Sequence, residues 1–144
     1  MAFRFSLDAV LRVRRTIEER EEAILQKIVF EIARIVEDLE RVKHRLRESE
    51  SARLANVLKP STGLLLRAHY GEVHALKLCR KDLEEKIERL EEAREAQVNV
   101  YEAARRDREV LTDMHQKQRT EYELLLSKRE QKTLDDNHLA RRSR

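Results

Sequence analysis

Turns and bulky fillers are what this chain has least of. Its 144 residues include two glycines, one proline and no tryptophan, and aromatics make up 4%. A compact layered core needs both turns and large fillers, so the composition excludes one, and with it a deep enzyme pocket. Cys79 stands alone, which excludes a disulfide framework and points to a reducing compartment. No apolar run approaches the ~20 residues needed to cross a bilayer. The opening residues, MAFRFSLDAVLRVRR, lack an apolar stretch followed by a small-residue cleavage site. No secretory signal is expected there, and the expected location is the cytoplasm.

Chemistry-bearing motifs are also missing. The sequence holds no glycine-rich phosphate loop, no nucleophile elbow and no paired cysteines. Its five histidines are His44, His69, His74, His115 and His138. His69 and His74 lie five apart, on different helix faces, whereas a metal-binding pair sits three or four apart. Carboxylate pairs such as Glu84-Glu85 and Glu91-Glu92 fall on a solvated face, with no burial to tune them. The expectation is a non-enzyme with no catalytic residue, no metal and no cofactor.

What is present is charge: 41% of residues, with 31 basic against 28 acidic, for a net +3. The two signs are interleaved, as on the solvated face of a long helix laced with ion pairs three and four apart. The positive excess sits at the ends, in Arg4, Arg12, Arg14 and Arg15, then in Arg141, Arg142 and Arg144.

The apolar residues keep a heptad spacing. Residues 72–144 contain no glycine or proline and carry Val73, Leu76, Leu83, Ile87, Leu90, Tyr101, Ala104, Leu111, Tyr122 and Leu125 on one seam. Upstream, Ile28, Ile32, Ile35, Leu39, Val42 and Leu46 form a strict stripe. Before it, Val10, Ile17 and Ile24 sit one position off the register of Leu11, Glu18 and Leu25, which reads as a stutter. Ser6 is the expected N-cap, with Asp8 in the first turn. Lys59-Pro60-Ser61-Thr62-Gly63 is the only cluster of helix breakers, and Ser61 or Thr62 can cap the second helix. The predicted fold is all-α. Two long helices, about 6–58 and 64–138, form an antiparallel coiled-coil hairpin around a turn at 59–63, in a single domain spanning 1–144.

The proposed register sets Leu46 opposite Leu76, Leu39 opposite Leu83, Ile35 opposite Ile87, Leu11 opposite Leu111 and Leu7 opposite His115. It also sets Arg14 opposite Arg108. Arg94, Gln97, Arg108, His115 and Gln118 occupy seam positions in this lower half. Either their long side chains snorkel outward or this half is weak and admits a partner helix. Helix one would span ~80 Å and helix two ~110 Å. Residues after about His115 would then outrun helix one while still carrying Tyr122, Leu125 and Leu126, an apolar end suited to another protein. A nucleic-acid clamp is the rival reading. It meets no long basic stripe free of acids and no aromatic platform, so no nucleic acid is expected as a partner.

The two ends carry a family resemblance. The start, Phe3-x-Phe5-x-Leu7-x-x-Val10-Leu11-x-x-Arg14, resembles that of the flagellar FliJ proteins. So does the closing block: Ala103-Ala104-Arg105-Arg106-Asp107-Arg108-x-Val110-Leu111, then Glu121-Tyr122, then Arg129-Glu130-Gln131-Lys132-x-Leu134-Asp135-Asp136. The turn, LKPSTGLLLR, departs from the family in being leucine-rich. The resemblance implies a stalk-like component of the flagellar type III export apparatus. Such a protein inserts in the hexameric FliI-type export ATPase ring, contacts the FlhA-type export gate and escorts export chaperones. It would reach the membrane only peripherally, at the flagellar base. The ring end would comprise Phe3, Phe5, Leu7, Leu11, Tyr122, Leu125, Arg129, Gln131, Asp135 and Asp136. The gate end would comprise Leu54, Val57, Leu65, His69, Tyr70 and Val73. The alternatives are the equivalent stalk of a virulence-type secretion system, which shares this architecture, and a generic scaffold coiled coil that dimerises through its overhang.

Overall fold

A computed structural model of the chain describes residues 3–56 and 62–142. It is an all-α helical hairpin whose second helix is the longer: α1 spans Asp8–Asn56 and α2 spans Gly63–Arg142. The described residues contain no strand.

The helix ends result from local chemistry. The Leu7 carbonyl accepts the first helical bond from the Leu11 N–H at 2.9 Å, and the Asp8 N–H donates to the Phe5 carbonyl at 3.3 Å. Ser6 therefore lies in the turn before α1, and Leu7 rather than Ser6 holds the capping place. Asp8 meets the positive helix end as expected and pairs with Arg12 at 3.2 Å. Gly63, expected in the turn, is instead the first residue of α2. The Thr62 carbonyl accepts from the Leu66 N–H at 3.3 Å. Val57, Leu58, Lys59, Pro60 and Ser61 lie outside the described residues. At its far end α2 continues past the expected residue 138 to Arg142. Arg141 and Arg142 occupy the last turn, where positive charge suits the negative helix end.

Contacts group the chain into two units: Met1–Glu21 with Val100–Arg144, and Glu22–Asn99. The second unit is built as the periodicity predicts. Ile32, Ile35, Leu39, Leu46 and Leu76 are buried, while Ile28, Val42, Val73, Leu83, Ile87 and Leu90 are half-buried. The outer face is not covered, and Phe30 is 75% exposed. In the first unit the buried residues are Phe5, Leu11 and Ala104.

The expected stutter in α1 is absent. The less exposed positions run Leu7, Leu11, Arg14, Glu18, Glu21, Leu25, Ile28, Ile32, in unbroken steps of four and three. Val10 is 44% exposed, and Ile17 and Ile24 are half-buried beside Glu18 and Leu25. The seam keeps its heptad by admitting charged residues, of which Arg14 and Glu18 pair across it with Asp107 and Arg108.

Burial sorts the apolar residues into two classes with different expected costs. Leu39→Ala should lower stability by about 2–3 kcal/mol, since it removes buried methyl groups and leaves a gap in the seam. Phe30→Ala should change it by less than about 0.5 kcal/mol, as an exposed site does. Urea unfolding tracked by helical circular dichroism measures both.

Candidate functional site

The first unit gathers the chain's start and the second half of α2. Phe3 and Phe5 precede α1 and close on His115. Phe5 meets the imidazole edge-to-face with ring centres 4.9 Å apart, and Phe3 does so at 5.5 Å. Phe3 also packs on Tyr122 at 5.6 Å. Such edge and tilted contacts set the positive rim of one ring against the negative face of another. His115, a polar residue at a seam position, thus serves as the platform for an aromatic arm.

Two ion pairs tie the helices together in this unit. Arg108 donates from Nε to Glu18 Oε2 at 2.6 Å and from Nη2 to Glu18 Oε1 at 3.0 Å. This is the parallel fork geometry that makes arginine–carboxylate pairs strong and directional. The pair is well shielded, with 15% of the Glu18 side chain and 24% of the Arg108 side chain exposed. Arg14 Nη1 donates to Asp107 Oδ2 at 3.0 Å, in a more exposed bridge. Around them, the Thr112 hydroxyl donates to the Arg108 carbonyl and Arg105 pairs with Glu109, each at 2.9 Å.

These contacts correct the expected apposition of Arg14 and Arg108. Each arginine takes its own carboxylate, because the guanidinium of Arg108 reaches along the seam to Glu18, one turn beyond Arg14. Arg108 therefore does not snorkel outward. Its hydrogen bonds hold the Glu18 carboxyl below its ordinary value. Burial opposes that shift, and the positive charges of Arg108 and Arg105 reinforce it. The hydrogen bonding that Arg108 donates to Glu18 in turn raises the guanidinium above its ordinary value. Neither the Glu18–Arg108 pair nor the Arg14–Asp107 pair was expected from the sequence. The available signal was that Glu18 keeps the register of Leu11 and Leu25 while Arg108 holds a seam position on the other helix.

The structure divides the ten residues expected at the ring end. Phe5 and Leu11 are buried, at 7% and 3% exposure, and their side chains are committed to the hairpin. Phe3, Leu7 and Tyr122 are half-buried in the arm. Leu125, Arg129, Gln131, Asp135 and Asp136 are exposed. Leu126, not Leu125, is the last partly covered residue of α2, and residues 127–142 are exposed throughout. The free end begins after Leu126 rather than after His115, because Phe3 extends the pairing to Tyr122. Of the residues expected at the gate end, Leu54, Leu65 and Tyr70 are exposed, and His69 and Val73 are half-buried. Val57 lies outside the described residues. Among the described residues, no group of three His, Cys, Asp or Glu is placed to hold a metal ion. No described helix is long and apolar enough to cross a membrane.

The Glu18–Arg108 pair has a definite pH signature. A carboxyl lowered on folding contributes stability above its ordinary value of 4.5 and loses it as pH falls through the lower folded value. Glu18→Gln should cost about 1–2 kcal/mol at pH 7, the range for a charge-assisted hydrogen bond partly open to water. The gap from the native chain should close as pH falls well below 4.5. Unfolding titrations of both proteins across that range, with Arg108→Gln added to complete a double-mutant cycle, measure this. No protein-family model, no curated protein and no solved structure matches this chain.

Proposed function

We propose that this chain is a non-catalytic, stalk-like component of the flagellar type III export apparatus. In this reading it inserts in the hexameric export ATPase ring, links the ring to the export gate and escorts export chaperones. The observation that carries the reading concerns the two stretches that resemble FliJ, which lie far apart in sequence. Arg14, from the opening motif, bonds Asp107 of the closing block. Phe3, from the same opening motif, packs on Tyr122. Both stretches therefore build one unit, and residues shared with a family for their joint effect would do so.

Physical chemistry supports a socketed role for the free end of α2. From residue 127 to residue 142 it presents charge on every side, with Leu134 and Leu139 as its apolar residues of note. A ring of identical subunits around a single helix cannot be matched by a symmetric face. Mixed charge lets each subunit find a different complementary contact, which favours specificity and rapid association. Arg129, Gln131, Asp135 and Asp136 are the candidate ring-contact residues, with Leu125 at the edge of the hairpin. Phe5 and Leu11 act indirectly, by building the hairpin that presents them.

Removing residues 128–144 tests this. The truncated chain should keep its seam and the Phe3–Tyr122 contact, and its unfolding midpoint should move little. It should lose at least about tenfold in affinity for a hexameric export ATPase, the effect of ~1.4 kcal/mol in binding. Pull-down and ATPase stimulation measure this. Unchanged binding would remove the free end from the contact.

A further inference from the structure

Residues 51–71 form the longest stretch without Asp or Glu in a chain that has 28 of them. In the described part of that stretch, large apolar side chains stand in the open. Leu54 is 69% exposed, Leu64 80%, Leu65 63%, Leu66 48% and Tyr70 53%. Arg53 lies over the Tyr70 ring, 6.0 Å from its centre, so the end of α1 and the start of α2 meet there. The first turn of α2 carries no acid, and Arg67 lies just beyond it. Basic and apolar groups thus share one end of the second unit, and no carboxylate from the stretch dilutes them.

The arrangement of the leucines says what kind of surface covers them. Consecutive helical residues point about 100° apart, so Leu64, Leu65 and Leu66 fan around most of the helix. A groove on another protein takes one face of a helix, spaced at three and four residues. A fluid hydrocarbon boundary takes all three directions at once. Positive charge beside the leucines suits anionic headgroups, and tyrosine favours the boundary between headgroups and acyl chains.

We propose that this end of the hairpin docks on an anionic lipid surface. Leu64, Leu65 and Leu66 enter the headgroup–acyl boundary, and Arg53 and Arg67 meet the anionic headgroups. The proposal does not rest on the export reading and competes with one part of it, since Leu54, Leu65 and Tyr70 are also residues that the resemblance places at the gate end.

The test uses the full chain and vesicles of phosphatidylglycerol in phosphatidylcholine, with pure phosphatidylcholine vesicles for comparison. The chain has no tryptophan, so Leu65→Trp supplies a single reporter. Its emission should shift to the blue with the anionic vesicles, and the chain should float with them. Binding should fall at least about tenfold in Leu64→Ser/Leu65→Ser, where exposed apolar area is lost. It should also weaken in Arg53→Gln/Arg67→Gln and persist in Arg141→Gln/Arg142→Gln. Circular dichroism of each variant should show unchanged helix content, since all of these sites are exposed. An unshifted tryptophan would overturn the proposal. So would binding that survives the leucine changes and disappears with the C-terminal arginines. A vesicle-independent dimer abolished by the leucine changes would assign the surface to a second copy of the chain instead.

Discussion

Two helices lying side by side own a single buried stripe, and that limit governs the rest of this molecule. Among the described residues there is no second layer to receive an apolar residue that faces away from the seam. In the second unit the stripe is filled by Ile32, Ile35, Leu39, Leu46 and Leu76, and burial there is hydrophobic in origin. In the first unit the seam between the helices admits Arg14, Glu18 and Arg108. They are tolerated because each charge has a partner in reach. Glu18 and Arg108 satisfy one another through two hydrogen bonds, so neither is left desolvated and alone. A paired charge in a seam adds less stability than a leucine would, but it specifies register, because a slip of one heptad separates the partners.

Register in turn decides how much of α2 is left over. Phe3 and Phe5 carry the pairing beyond the first residue of α1, using His115 and Tyr122 as their platform. Past Leu126 the described residues of α2 are exposed. A helix with charge on all sides draws little from packing, and a segment this short would be marginal alone. It is ordered as the continuation of a long helix, with Arg141 and Arg142 in its last turn. The proposed socket on another protein would draw on that mixed charge. The opposite chemistry, exposed Leu54, Leu64, Leu65 and Leu66 with Arg53 and Arg67, belongs to the described part of residues 51–71, a stretch without Asp or Glu.

The sequence made the hairpin legible because its signals were of the most direct kind. One breaker cluster in a chain otherwise almost free of glycine and proline divided it in two, and Leu39, Leu46 and Leu76 lay where a heptad puts them. The lower seam was less legible. Val10, Ile17 and Ile24 suggested a shift of register, since apolar residues normally mark the buried side. The structure keeps Glu18 in the seam, a choice that depends on Arg108, 90 residues away. Spacing along one helix cannot report a partner on the other. Phe3 and Phe5 were visible as motif residues, but not as a cap on His115, because residues before a helix have no periodicity to fix their direction.

Register is the claim on which the exposed end of α2 depends, and thiol cross-linking reads it directly. A disulfide needs Cβ atoms within about 4 Å, closer than an arginine–aspartate bridge requires. Cysteines placed at Arg14 and Asp107, in a chain with Cys79→Ser, should therefore be joined efficiently by a short bifunctional thiol reagent that spans the length of the native bridge. Cysteines at Arg14 and Val100, or at Arg14 and Met114, one heptad to either side, should not. Efficient cross-linking of either shifted pair, with none at Arg14 and Asp107, would contradict the account.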